Sequence, residues 1–212
     1  MEAGFWHRKW ESNEIGFHEG VPNALLVKHF GELGLAPGGR VFVPLCGKTR
    51  DLAWLLSEGY RVAGAELSES AVRQWFDESG VEPTITELGA LKHYGAPGVD
   101  IFAGDVFALS REILGGIDAV YDRAALVALP GEMRQRYTAH LRAVTGSAPQ
   151  LLICFVYDQT LMEGPPFSID EGEVRGHYGD AYELTLREAR EVPGGLKGKC
   201  AAWENVWLLQ RR

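Results

Sequence analysis

The sequence predicts a single α/β domain, residues 1–212, in which a mostly parallel β-sheet is covered by helices on both faces. Segments with strand and helix patterning alternate along the chain, as successive β-α-β crossovers require. No repeat, low-complexity run or Gly/Ser linker divides the 212 residues, and a chain of that length closes one core without disulfide or metal staples. No long connection separates the last two strand-like runs, so they are expected to form an antiparallel hairpin.

The elements follow in order. Trp6 and Trp10 lie four apart, and Leu25, Leu26, His29, Phe30 and Leu33 recur at helical spacing, which gives two helices before the sheet begins. Pro37-Gly38-Gly39 is a turn, and the apolar run at 40–45 behind it reads as a first, fully buried strand ending at Gly47. Thr49 can cap a helix whose Leu52, Leu55 and Leu56 share a face, and Gly59 stops it before a strand at 61–65. Ser68 can cap the next helix, with Ala71, Val72, Trp75 and Phe76 as its apolar stripe and Gly80 as its end. Strands at 99–102 and 117–121 run into Gly104-Asp105 and Asp122-Arg123, and a helix containing Met133, Tyr137 and Leu141 leads to a central strand at 151–157. After the Gly164-Pro165-Pro166-Phe167 turn come a helix at about 170–178 and the two final strands, 182–186 and 201–209.

Composition narrows the function. A formal net charge of −8 and a pI near 5.3 oppose binding to a phosphate backbone, which sets DNA and RNA aside. No apolar run is long enough to span a bilayer, and the first residues lack the basic stretch and apolar core of a secretory signal. Cys46, Cys154 and Cys200 have no C-x-x-C spacing, which argues against a disulfide framework and a zinc site. A monomeric cytoplasmic protein without a bound metal is expected.

Ligands on open α/β sheets sit beyond the carboxyl ends of the strands, so the turns there are the places to look for chemistry. The first, Val43-Pro44-Leu45-Cys46-Gly47-Lys48-Thr49, has a glycine that lets a ligand approach the backbone. It is not a phosphate loop, because the opening glycine of that motif falls on Phe42, and the dinucleotide fingerprint G-x-G-x-x-G is absent. Glu66 ends the second strand 19 residues after Gly47, the offset at which an acid accepts hydrogen bonds from both ribose hydroxyls of an adenosine; a solvated acid starting a helix is the plainer alternative. Asp105 and Val106 follow the third strand, where they can flank an adenine or simply make a turn. Arg123 follows the fourth, and an inward arginine must face a carboxylate or an anionic ligand. Trp10 can lay its ring against a soft cation, although its spacing from Trp6 fits core packing equally well. No Ser-His-Asp elbow, H-E-x-x-H helix or carboxylate pair supports hydrolysis, and His18 beside Glu19 is the one plausible base.

Taken together, Trp6-x-x-x-Trp10, Gly16-Phe17-His18, Val43-Pro44-Leu45-Cys46-Gly47-Lys48, Asp122-Arg123-Ala124-Ala125-Leu126-Val127-Ala128 and Gly164-Pro165-Pro166-Phe167 resemble the thiopurine S-methyltransferase family over nearly the whole chain. The resemblance implies a Rossmann-like class I fold with a seven-stranded sheet, an antiparallel C-terminal strand and an N-terminal lid formed by residues 1–35. It implies S-adenosylmethionine as methyl donor, with S-adenosylhomocysteine as product, and a small thiol as acceptor. By the same resemblance Trp10, Leu45, Glu66 and Arg123 contact the cofactor, Asp105 and Val106 flank its adenine, and Phe17, Arg123, Pro166 and Phe167 border the acceptor. The glycine-rich stretch 191–199 offers no clear match for the family's further basic residue.

The expected reaction is in-line attack of a thiolate on the sulfonium methyl, with Arg123 as the catalytic cation favouring the thiolate, so that alignment and desolvation supply the catalysis. Two alternatives stand beside it: methylation of another soft nucleophile, such as a selenium or tellurium species or a halide, and an adenosine-binding protein without activity.

Overall fold

The computed structural model describes residues 3–12 and 19–212. Strands β1 (Arg40–Pro44), β2 (Arg61–Glu66), β3 (Thr84–Leu88), β4 (Leu91–Ala96), β5 (Val99–Ala103), β6 (Ala119–Arg123), β7 (Gln150–Tyr157), β8 (Tyr182–Glu191) and β9 (Ala202–Arg211) form one sheet in the order β3-β4-β5-β2-β1-β6-β7-β9-β8. Strands β5, β2, β1, β6 and β7 are parallel, and β9 runs antiparallel to both β7 and β8. The helices are α1 (Ala3–Glu11), α2 (Ala24–His29), α3 (Arg50–Ser57), α4 (Glu69–Ser79), α5 (Arg111–Leu114), α6 (Gly131–Thr145) and α7 (Glu171–Tyr178).

Successive strand residues point to opposite faces, and both faces are buried. Phe42, Ala63, Phe102, Val120, Leu152 and Trp207 pack on one side against Tyr137 and Leu141 of α6 and Val174 and Tyr178 of α7. Val41, Val43, Val62, Ile101, Tyr121 and Leu151 pack on the other against α2, α3 and α4 through Leu26, Leu52, Leu55, Val72 and Phe76. The caps read from the sequence are present. Thr49 Oγ1 accepts from Asp51 N–H at 3.3 Å and Ser68 Oγ from Ala71 N–H at 3.4 Å; Asp170, not read as a cap, also accepts through Oδ1 from Glu173 N–H at 2.8 Å.

The seven expected strands are all present as the contiguous run β5-β2-β1-β6-β7-β9-β8; the sheet has nine because β3 and β4 add an antiparallel hairpin beside β5. This hairpin escapes an apolar-periodicity reading because the first four residues of β3 are exposed. Its signal was the β-branched run Thr84-Ile85-Thr86 followed by the two-residue loop Gly89-Ala90, where Gly89 has φ +64°. The opposite edge strand, β8, is broken by a bulge between Leu186 and Glu188.

The N-terminal region is fixed to the centre of the molecule. Asp51, buried in the first turn of α3, accepts from Asn23 N–H at 2.7 Å and from the Tyr121 hydroxyl of β6 at 2.9 Å. Ahead of that anchor, α1 lies against α4. Among the described residues no helix is long and apolar enough to cross a membrane.

Candidate active site

The turn after β1 is held in an unusual backbone shape. Leu45 has φ +47°, a left-handed conformation that costs a side-chain-bearing residue about 1 kcal/mol or more and persists only where its surroundings hold it. Gly47 has φ +52°, and a Cβ there would lie 2.9 Å from Cζ2 of Trp10, so the buried Trp10 indole rests directly on the bare glycine backbone. Helical spacing with Trp6 therefore yields burial of Trp10, but burial against this turn.

Glu66 closes β2 with its side chain almost wholly buried, 5 % exposed. Its Oε2 accepts from Gly47 N–H at 2.7 Å and its Oε1 from Ser68 N–H at 2.8 Å. Burial raises its pKa, and the N–H groups of Ser68, Gly47 and Leu67 work against that rise. Three backbone donors at most engage the four acceptor positions of the carboxylate, so at least one remains.

Next along the sheet, Gly104 N–H donates to Glu66 O at 2.8 Å and brings the turn after β5 beside that carboxylate. Asp105 is exposed and accepts from Phe107 N–H at 3.0 Å; Val106 is buried and its carbonyl accepts from His140 Nε2 at 2.9 Å. A groove of about 550 Å³ opens alongside, between Leu67 and Ser68 on one bank and Gly104 with the β3–β4 turn on the other.

The turn after β6 carries two ionisable groups of opposite fate. Asp122 is fully buried, with Oδ2 accepting from the Tyr137 hydroxyl at 2.7 Å and Oδ1 from Leu126 N–H at 3.1 Å. Burial outweighs these donors and raises its pKa from 3.8 to about 6. A carboxyl whose folded pKa lies above its unfolded one gains a proton on folding, so its stabilisation is complete below about pH 4 and lost by about pH 6, roughly 3 kcal/mol in all. Urea unfolding at pH 5 and pH 7 is expected to show wild type losing about 1 kcal/mol more than Asp122→Asn over that interval; identical losses would place the Asp122 pKa near its ordinary value.

Arg123, by contrast, reaches the cleft. Its side chain is 12 % exposed, and Nη2 donates to Glu19 Oε1. Burial opposes its charge, while Tyr121, Glu19 and Asp51 more than restore it, so its pKa is raised. The next residue, Ala124, has φ +65°, a second left-handed non-glycine at a strand's carboxyl end.

On the far side of Arg123, Phe167 N–H donates to Val127 O at 2.6 Å and ties the 164–167 turn to the segment after β6. Its half-buried ring lies 5.6 Å from the Arg134 guanidinium. The Tyr157 hydroxyl donates to Pro166 O at 2.6 Å and Lys197 Nζ to Pro165 O at 2.7 Å.

The structure therefore gathers Trp10, Leu45, Glu66, Asp105 and Val106 along one half of the strand carboxyl ends, with Arg123 between them and Pro166-Phe167. Phe17 and His18 lie outside the described residues. Three participants were not read from the sequence: Glu19 as the partner of Arg123, Asp51 as the anchor beneath it, and Lys197 on the 164–167 turn.

The thiopurine S-methyltransferase family profile matches residues 1–212. A thiopurine S-methyltransferase of Xanthobacter autotrophicus is 60% identical over 212 residues, 100% of both chains, and that of Teredinibacter turnerae is 51% identical over 211 residues, 100% of this chain and 98% of the relative. Two solved structures share the fold. A 1,6-didemethyltoxoflavin-N1-methyltransferase of Burkholderia thailandensis with bound S-adenosylhomocysteine has TM-score 0.66 at 16% identity, covering 98% of this chain and 87% of that one. A TehB-like methyltransferase of Corynebacterium glutamicum has TM-score 0.60 at 12% identity, covering 99% and 98%. Matched along its full length by the family profile and by these relatives, the chain belongs to the thiopurine S-methyltransferase family and is an S-adenosylmethionine-dependent methyltransferase.

Proposed function

We propose that this enzyme methylates sulfur on small aromatic or heterocyclic thiols such as thiopurines, working as one domain with residues 1–35 as its lid. The observation that carries this is Arg123, a largely buried guanidinium at the mid-point of the strand carboxyl ends, where a fixed cation favours the anionic form of an acidic thiol.

The residues fit the cofactor. Glu66 keeps acceptor capacity for a ribose hydroxyl, and the left-handed turn at Leu45 and Gly47 sets bare backbone against the Trp10 ring, which offers an aromatic face to a sulfonium. We assign Trp10, Leu45, Glu66, Asp105, Val106 and Arg123 to S-adenosylmethionine, and Phe17, Arg123, Pro166 and Phe167 to the acceptor. When bound, the cofactor supplies an electrophilic methyl group on a sulfonium. The chain's own part is to hold two reactants in line and exclude water: Trp10 packs an aromatic face over the turn, and Phe167, locked to Val127, walls the acceptor side.

Transfer of labelled methyl from S-adenosylmethionine to a mercaptopurine-type thiol is expected, with none to the oxygen analogue of the same ring. Tight cofactor binding without transfer to any thiol would overturn the reading and direct the search to selenium, tellurium or halide acceptors.

A further inference from the structure

Resting on that reading, we propose that Glu19 is a further catalytic residue, which selects acceptors presenting a ring N–H beside their sulfur and takes up that proton as the sulfur is methylated. The observation is the pair that Glu19 makes with Arg123 across 104 residues of chain. The two partners differ in setting: Arg123 is 12 % exposed on the end of β6, whereas Glu19 is 44 % exposed, on the solvent side of the cation. Both are held from below. Glu19 lies four residues before Asn23, whose N–H is fixed by Asp51, and Asp51 also binds Tyr121, two residues before Arg123 on the same strand.

A guanidinium has five N–H donors, so engagement of Nη2 by Glu19 leaves donors for a second acceptor, such as a thiocarbonyl sulfur, beside the carboxylate. The pair thus presents a donor and an acceptor next to each other. That pattern matches the –NH–C=S edge of a heterocyclic thione, with the sulfur against Arg123 and the ring N–H donated to Glu19. An aryl thiol without a ring nitrogen satisfies Arg123 alone.

The proton is the reason a carboxylate is useful there. As the acceptor's new sulfur–carbon bond forms, the bond from sulfonium sulfur to the same methyl carbon breaks and its electron pair returns to the departing thioether. A neutral thione would then be left cationic unless its N–H proton leaves. Glu19 takes that proton, the N–H bonding pair becomes part of the ring C=N, and the exposed carboxyl group passes the proton on to water.

The test compares wild type, Glu19→Gln and Glu19→Ala on 2-thiopyridone and on thiophenol, together with equilibrium binding of 2-thiopyridone followed by its absorbance. The ratio of kcat/KM for 2-thiopyridone over thiophenol is expected to fall at least about tenfold in both variants. In Glu19→Gln, binding of 2-thiopyridone should change less than kcat, because the amide oxygen still accepts the N–H but cannot remove its proton. A smaller fall in the ratio would reduce the pair to a surface ion pair and overturn the role of Glu19. Wild type that methylates neither compound would instead overturn the thiol reading on which this inference rests.

Discussion

Arg123→Ala is expected to lower kcat/KM for a thiol acceptor by about two to three orders of magnitude, the usual loss when one fixed donor to a developing or stabilised anion is removed. The argument is one of environment. The guanidinium is largely buried, so its interaction with a thiolate is screened less than a surface pair would be. Its partner Glu19 is nearly half exposed and re-solvates at little cost when the arginine is lost, so the fold should survive. Cofactor affinity should fall by less than about tenfold, since Glu66 and the Leu45 turn are untouched. Steady-state kinetics with the thiol and a direct titration of S-adenosylmethionine separate the two; equal losses would remove Arg123 from the acceptor and make it a cofactor residue alone.

Glu66→Ala is expected to do the reverse, raising the Kd for S-adenosylmethionine by about 100-fold or more, because hydrogen bonds to a charged acceptor contribute about 1.5–3 kcal/mol each. Stability should fall as well. The substitution strips the N–H groups of Gly47 and Ser68 of the oxygens they donate to at 2.7 and 2.8 Å, and both are buried. Glu66→Gln is not a mild change here. The N–H groups of Ser68, Gly47 and Leu67 that face this carboxylate are all donors, so the new amide NH₂ must face an N–H, and its effect should approach that of alanine. The raised pKa adds a pH signature: cofactor affinity should decline as pH falls through a value above the ordinary 4.5. Isothermal titration across that range checks it, and an unchanged Kd in both variants would take Glu66 off the ribose.

Much of this was legible in the chain because the signals are local. Thr49 and Ser68 announce their helices two or three residues ahead of the N–H groups they cap. Once strands and helices alternate, Gly47, Glu66, Asp105 and Arg123 fall at strand carboxyl ends by connectivity alone. What escaped depends on long-range pairing or on the absence of burial. Nothing near Glu19 in sequence points to Arg123, and nothing near Lys197 points to Pro165, 32 residues away. The hairpin β3–β4 escaped because it lies at an exposed edge, where selection for apolar alternation is weak. Asp122 was read with Arg123 as one motif, yet the fold sends one inward to Tyr137 and the other to the cleft, a distinction set by strand alternation.

The bulge in β8 has a bearing on how the protein behaves when concentrated. An open sheet offers its outermost strand as a template for the next molecule, and a flat, apolar edge invites runaway stacking. Here the exposed margin kinks between Leu186 and Glu188 and carries Glu183, Arg187, Glu188, Arg190 and Glu191, so a second copy laid along it meets both a broken register and buried charge. The far margin, β3, is only five residues long. The nine strands therefore end in two guarded borders, which disfavours edge-to-edge stacking of copies.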